Sequence, residues 1–473
     1  MISNSEIREG YLRIFIPLCA ADLFLFFSVV MAMYTSYEYG HDAFWDIEFP
    51  NRSKTMSNES GQSICGTTNA SVQGDQEEQI VQAVVSKWNL YISIAQGVPL
   101  IFSSLFFSSL SDFFGRRPFL LLGTLGVCIK YCLMTLAVIF QWNVYLFILF
   151  SFVDSLCGSW VTQLAIAMSI LSDLTASGKS RSFFIAVFSF VFGLGFSLGS
   201  FLSGYMVTLL GYDYSMAIAC GLSAIAFIIT CFIPETLSNS QRKQNFSCMG
   251  NVKEIFRFYM KKDPTYAGFT RWKFITLILS FTLIMMSRLG SSAFETFYLL
   301  DSPFCFSPEK ISIFETARTC ISEIMILAFI KLMQRCLRDE VIAFLGSISS
   351  VALFIVFGIA PSTTFLYIAV IIGSIGMCSI PLIRGILSKM TPIHNQGVLF
   401  GGIAVVENIC NLTGSIIGNA IYSETVSFYK GTAYLVFAGF LFVAMVLLMF
   451  LMKDTPQNYN RKGTVSSQTD LIN

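Results

Sequence analysis

The sequence predicts an all-α membrane protein with twelve transmembrane helices. Three observations predict it. Of 473 residues, 54% are hydrophobic and only 12% are charged, about half the charged share of a soluble globular protein. Mean hydropathy is +0.67. The apolar residues also fall into runs of about twenty, the length that crosses a hydrocarbon core as a helix. These figures exclude most soluble enzymes and disordered chains. A net charge of +1 gives no case for nucleic acid.

Six spans are predicted before a polar stretch: Leu12–Tyr34, Trp88–Leu110, Phe119–Phe140, Val144–Leu171, Phe183–Val207 and Met216–Pro234. Six follow it: Phe274–Leu300, Ser312–Lys331, Val341–Pro361, Thr364–Leu387, Val398–Tyr422 and Gly431–Met452. The domains expected are 1–235, with a lumenal loop over 38–87, then a basic linker 236–273, a second half 274–452 and a tail 453–473. The first run is long enough to span and lacks a small-residue cleavage site, so it reads as a helix rather than a signal peptide.

Charge orients the chain. Basic residues concentrate in the linker (Arg242, Lys243, Lys253, Arg257, Lys261, Lys262, Arg271, Lys273) and at Arg116, Arg117, Lys179 and Arg181. Cytoplasmic loops carry such an excess, so these loops and both termini are expected to be cytoplasmic. The loop after span one is acidic and holds three sequons, at Asn51, Asn58 and Asn69. Sequons there are usable only on the lumenal side. Those at Asn245 and Asn411 fall in the linker and inside a span and are expected to be unused. Of thirteen cysteines, Cys65 and Cys305 alone fall in predicted lumenal loops. An oxidising lumen permits a disulfide between them; two free thiols is the alternative. With no C-x-x-C pair and two histidines, no dedicated metal site is expected, and no cofactor.

Charges inside spans are expensive, so each is a functional candidate by default. They are Asp22, Lys130, Asp154, Arg288, Glu295, Glu315, Arg318, Glu323, Arg384 and Glu407. Structural ion pairing is the competing reading for any one of them. Glu315 and Arg318 are three apart and can neutralise each other, and Arg288 and Glu295 are seven apart on one face. Arg384 and Glu407 lie at similar depth. Arg384 is the leading anion-binding residue, with Arg288 second, because guanidinium presents a fork suited to carboxylate or phosphate. Asp154, Glu407, Asp22 and Glu295 are the proton-coupling candidates, since desolvation moves a carboxyl toward neutrality. Asp173-Leu-Thr-Ala-Ser-Gly-Lys-Ser lacks the first glycine of a phosphate loop and follows no strand, so no nucleotide-driven pump is indicated. Gly193, Gly195 and Gly199 read as small residues for close helix packing.

Ser111-Asp112-Phe-Phe-Gly115-Arg116-Arg117-Pro118, between spans two and three, resembles the signature loop of the major facilitator superfamily. The resemblance implies two six-helix bundles and a cytoplasmic gate on Asp112, Gly115, Arg116 and Arg117. Ser108 and Phe113 depart from that pattern, where the superfamily has glycine and a basic residue. Leu300-Asp301-Ser-Pro-Phe-Cys305, Ile383-Arg384-Gly-Ile-Leu-Ser388-Lys389, Asn395-Gln396-Gly397-Val-Leu-Phe400 and Ile421-Tyr422-Ser-Glu-Thr425 resemble solute carrier family 46 more narrowly.

That resemblance runs over essentially all twelve spans. It implies a proton-coupled carrier of small organic anions, a glycosylated first loop, and a disulfide between Cys65 and Cys305. It places the family's substrate and proton-binding arginine on Arg384, its span-four acid near Asp154 and its span-eleven glutamate on Glu407. The family's span-five acid falls at about Ser189, and the folate transporter's span-seven histidine has no counterpart. The expected partners are therefore an organic anion, protons and the lipid bilayer. A transporter-shaped receptor without flux is the alternative function, and an enzyme is not expected. The tail and Tyr11-Leu-Arg-Ile14 give no clear sorting signal, so a lysosomal membrane is favoured over the plasma membrane on resemblance.

Overall fold

The computed structural model describes residues 4–49, 72–175, 178–238, 242–243, 258–259, 271–426 and 428–453. These residues form helices and connecting turns, with no strand among them. The helices of the first half are α1 (Asn4–Glu48), α2 (Val72–Phe114), α3 (Arg117–Ile139), α4 (Leu146–Leu156), α5 (Ser159–Leu174) and α6 (Lys179–Cys231). Those of the second are α7 (Arg271–Leu300), α8 (Pro308–Met333), α9 (Asp339–Ile359), α10 (Thr363–Gly373), α11 (Ser379–Met390), α12 (Gln396–Thr425) and α13 (Thr432–Lys453). Ten described stretches are long and apolar enough to cross a membrane.

The boundaries follow local chemistry. Pro118 and Pro308 sit in the first turns of α3 and α8, where a missing N–H is harmless, and Ser307 caps α8 by accepting from the Lys310 N–H. Span four is two helices, because Gly158 takes φ +93°, which suits a residue without Cβ. Span ten is likewise broken, with a 3₁₀ turn at Gly376–Cys378 between α10 and α11. Spans five and six run together as α6, interrupted at Gly211 (φ 80°, ψ 177°). Helices α1 and α2 also continue to Glu48 and from Val72, well into the stretch expected to be loop.

In the first half α1 and α3 pack on α6, and α2 on α4. In the second, α7 packs on α12 and α13, and α9 on α13. The halves meet where α2 and α5 lie on α12, and where α6 lies on α8 and α11. Close approach uses small residues. A Cβ at Gly195 would lie 2.9 Å from the Leu23 carbonyl oxygen, and one at Gly199 would lie 2.7 Å from Val30 Cβ. Lipid tails give no hydrophobic push between helices, so such contact is what holds them together. Large apolar side chains, among them Phe102, Leu149, Ile371 and Phe450, point outward and are exposed. One buried core joins Leu171 and Ile185 of the first half to Phe281, Ile383 and Leu399 of the second. A separate core around Phe44, Trp88 and Phe147 belongs to the first half alone.

Candidate functional site

The two halves are latched together at the end of the molecule that carries Asp112. Asp112 ends α2 fully buried, and its carboxylate accepts the Gly397 and Val398 N–H groups at 2.9 and 3.2 Å. These are orphan donors in the first turn of α12, the place where a carboxylate is most favoured. Arg116, also fully buried, donates to Asp112 at 2.6 Å and to Asp173 of α5 at 3.0 Å. Burial opposes its charge, but Asp173 and Asp112 outweigh that and hold the guanidinium above the ordinary arginine range. Glu235 accepts the backbone N–H groups of Arg116 and Arg117, and Arg117 reaches the Cys231 carbonyl. Gly115 takes φ +102°, and a Cβ there would meet the Glu235 carboxylate at 2.3 Å. The residues expected to form a gate thus lie together, and Asp173 and Glu235 bind to them.

A second latch stands beside it. Asp339, first residue of α9, pairs with Lys389 of α11, accepts Ser182 Oγ of α6 at 2.6 Å and accepts Gln334 Nε2 at 2.9 Å. Lys179 donates to the Gln334 carbonyl at 2.5 Å, and Arg181 donates to the Ser388 carbonyl at 3.1 Å. Ser172 and Ser388 hydroxyls meet at 2.8 Å between α5 and α11.

Deeper in the bundle, Arg384 of α11 pairs with Glu407 of α12 and lies over the Phe281 ring at 5.7 Å. Both belong to the helices that bridge the halves. Next to Glu407, Asn408 donates to the Gly97 carbonyl of α2 at 2.8 Å. In the first half, Asp154 of α4 accepts Ser159 Oγ at 2.7 Å, lies 3.7 Å from Lys130 of α3, and lies 3.4 Å from the Gln96 amide of α2. Asp22 of α1 is wholly buried beside the equally buried Gln163 of α5. Gln96, Gln163 and Asn408 are polar residues inside spans. Counting only ionisable groups passed over them, although mid-span amides carry the same kind of signal.

The charges of α7 and α8 form a separate network. Arg318 binds both Glu295 and Glu315. This corrects the pairing expected between Arg288 and Glu295. The nearer guanidinium is supplied across the helix contact, not seven residues along the same helix. Arg288 and Glu323 make no ion pair among the described residues, and both line a cleft with Arg318, Thr319, Ser322 and Phe354. Cys305 is not one of the ten cysteines with free thiols. Cys65, Asn51, Asn58, Asn69 and Asn245 lie outside the described residues, as does most of the linker. Asn411 is inside α12.

This all-helical architecture defines a class, and sequence comparison agrees. The Major Facilitator Superfamily profile matches residues 85–307 and 276–473, so the chain belongs to that superfamily. Among particular proteins, it is 28% identical to the lysosomal proton-coupled steroid conjugate and bile acid symporter SLC46A3 of Homo sapiens, over 83% of this chain and 86% of that one. It is 26% identical to the proton-coupled folate transporter of Rattus norvegicus, over 80% and 81%. Among solved structures, the human organic anion transporter MFSD10 shares its fold with a TM-score of 0.69 at 14% identity, covering 93% of this chain and 99% of that chain.

Proposed function

We propose that this chain is a proton-coupled carrier of small organic anions that works by alternating access. The observation that carries the reading is the placement of Arg384 and Glu407. They are an anion-binding side chain and a proton acceptor, ion-paired on the two helices that pack across the halves. An anion that takes Arg384 must displace Glu407, and a proton on Glu407 makes that displacement cheap. Arg288 is a second anion-binding group. Asp154, Asp22 and Glu295 are further proton acceptors. The relatives, a proton-coupled folate transporter and a lysosomal proton-coupled steroid conjugate and bile acid symporter, support the same chemistry.

The architecture proposed is twelve crossings in two six-helix bundles. Gly211 divides α6 into two of them. Helix α8 is another, its charges largely neutralised by pairing with one another and with α7. The latches on Asp112 and Asp339 then close the cytoplasmic side, leaving the central site to load from the lumen. Both termini are cytoplasmic in this reading, the membrane is lysosomal, and the first loop is glycosylated and tied by Cys65–Cys305.

The test is uptake of a labelled bile acid such as cholate into vesicles holding Arg384→Ala at normal abundance. Loss of uptake is expected. Undiminished uptake removes Arg384 from the site. Cholate bound without flux by the unaltered chain would favour a receptor.

A further inference from the structure

The cleft between α7, α8, α9 and α10 does not include Arg384 or Glu407. Its charged lining has an unusual balance. Arg318 is saturated, gripping Glu295 and Glu315. Arg288 and Glu323 face the same space and make no ion pair among the described residues. Glu295, Glu315 and Glu323 act on the Arg288 charge through space, none of them in an ion pair with it among the described residues, so an incoming anion would compete with them for it. Apolar side chains, Ile284, Leu353 and Phe354 among them, complete the wall.

Glu323 is placed by the first half of the chain. Its carboxylate fills the notch left by Gly193 on α6, where a Cβ would lie 2.5 Å from Oε1. It therefore stands at one of the contacts that must change when the halves rock. The charged groups around it are Arg288 and Glu295 on α7 and Glu315 and Arg318 on α8. The cleft residues of α9, α10 and α13 carry no charge, and α6 presents Gly193.

The charge count decides how an anion can enter. Three carboxylates (Glu295, Glu315, Glu323) against two guanidiniums (Arg288, Arg318) leave one net negative charge. An anion bound to Arg288 would double it. One proton taken up with the anion restores the original balance. Glu295 and Glu315 each already receive a charge-assisted bond from Arg318, which a proton would weaken. Glu323 has no such bond to lose.

Resting on the carrier reading above, we propose that this cleft is a second substrate site. In it Arg288 takes the organic anion and Glu323 takes the co-transported proton, so that anion and proton enter together. Release of the proton from Glu323 to the other side doubles the negative charge again and expels the anion.

The experiment uses the full-length protein in proteoliposomes, with labelled cholate as the probe, at acidic and neutral external pH. For Glu323→Gln, which mimics the protonated acid, the acid-to-neutral uptake ratio should fall, leaving the share carried by Glu407. For Arg288→Gln, uptake should fall at both pH values. Full acid stimulation in Glu323→Gln would overturn the proposal. Absence of cholate flux in the unaltered protein would instead count against the carrier reading. Infrared difference spectra of the purified protein then decide on Glu323 without any substrate. A protonated-carboxyl band should appear on acidification and be missing in Glu323→Gln. An unchanged band would overturn the proposal.

Discussion

Replacing Asp112 by alanine should unlatch the end of the molecule that now holds the halves together. The carboxylate is fully buried and accepts two α12 N–H groups across the interface, at 2.9 and 3.2 Å. Hydrogen bonds to a charged acceptor contribute about 1.5–3 kcal/mol each, so the cross-half part alone is at least ~3 kcal/mol. That is about a hundredfold in the ratio of closed to open ends. The loss of Asp112 from Arg116 adds to this within the first half, since Asp173 is left to hold the guanidinium. The assay is labelling of Ser388→Cys by a membrane-impermeant maleimide, measured against the parent chain to correct for native thiols. Ser388 is fully buried against Ser172 at the interface. Labelling should be slow in the Asp112 background and much faster with Asp112→Ala. Asp112→Asn keeps an acceptor and should fall between them. Equal labelling in all three, with monodisperse protein, would refute the latch.

Other outcomes follow from the same geometry. Gly397→Ala puts a Cβ 2.1 Å from the Ser108 carbonyl oxygen, so it should wedge α2 from α12 and raise Ser388→Cys labelling without removing any charge. Lys130→Met leaves Asp154 without its cation and should destabilise the protein by about 3–5 kcal/mol. Adding Asp154→Asn should recover most of the lost melting temperature. Gly193→Ala should displace the Glu323 carboxylate and reduce acid stimulation of uptake, with little effect on abundance. The sign of the pH dependence is fixed by the chemistry. A coupling carboxyl must be protonated when the anion loads, so uptake rises as the loading side is acidified and levels off once that carboxyl is full.

Much of this was legible in the sequence. Twenty-residue apolar runs fix helices because lipid offers backbone groups no other partner, and ten stretches among the described residues are helices long and apolar enough to span. Breaks inside runs were not legible. Gly158 and Gly211 look like packing glycines until their positive φ is seen. The cluster of Asp112, Gly115, Arg116 and Arg117 could be read as one loop, whereas Asp173 joins it from α5 and Asp339 builds its own cluster at the start of α9. Arg384 and Glu407 were matched by depth. Depth could not show that Glu295 belongs to Arg318, because that choice depends on how α7 and α8 are rotated against each other. The lack of an ion pair at Arg288 and Glu323 is also a property of three-dimensional placement, and spacing says nothing about it.

The most direct test of proton-coupled anion carriage is accumulation. Proteoliposomes containing the purified protein would be given labelled cholate outside and a pH gradient, acidic outside. The anion should accumulate above its equilibrium level and discharge when a protonophore collapses the gradient. Cholate that only equilibrates, at a rate indifferent to the gradient, would contradict the account.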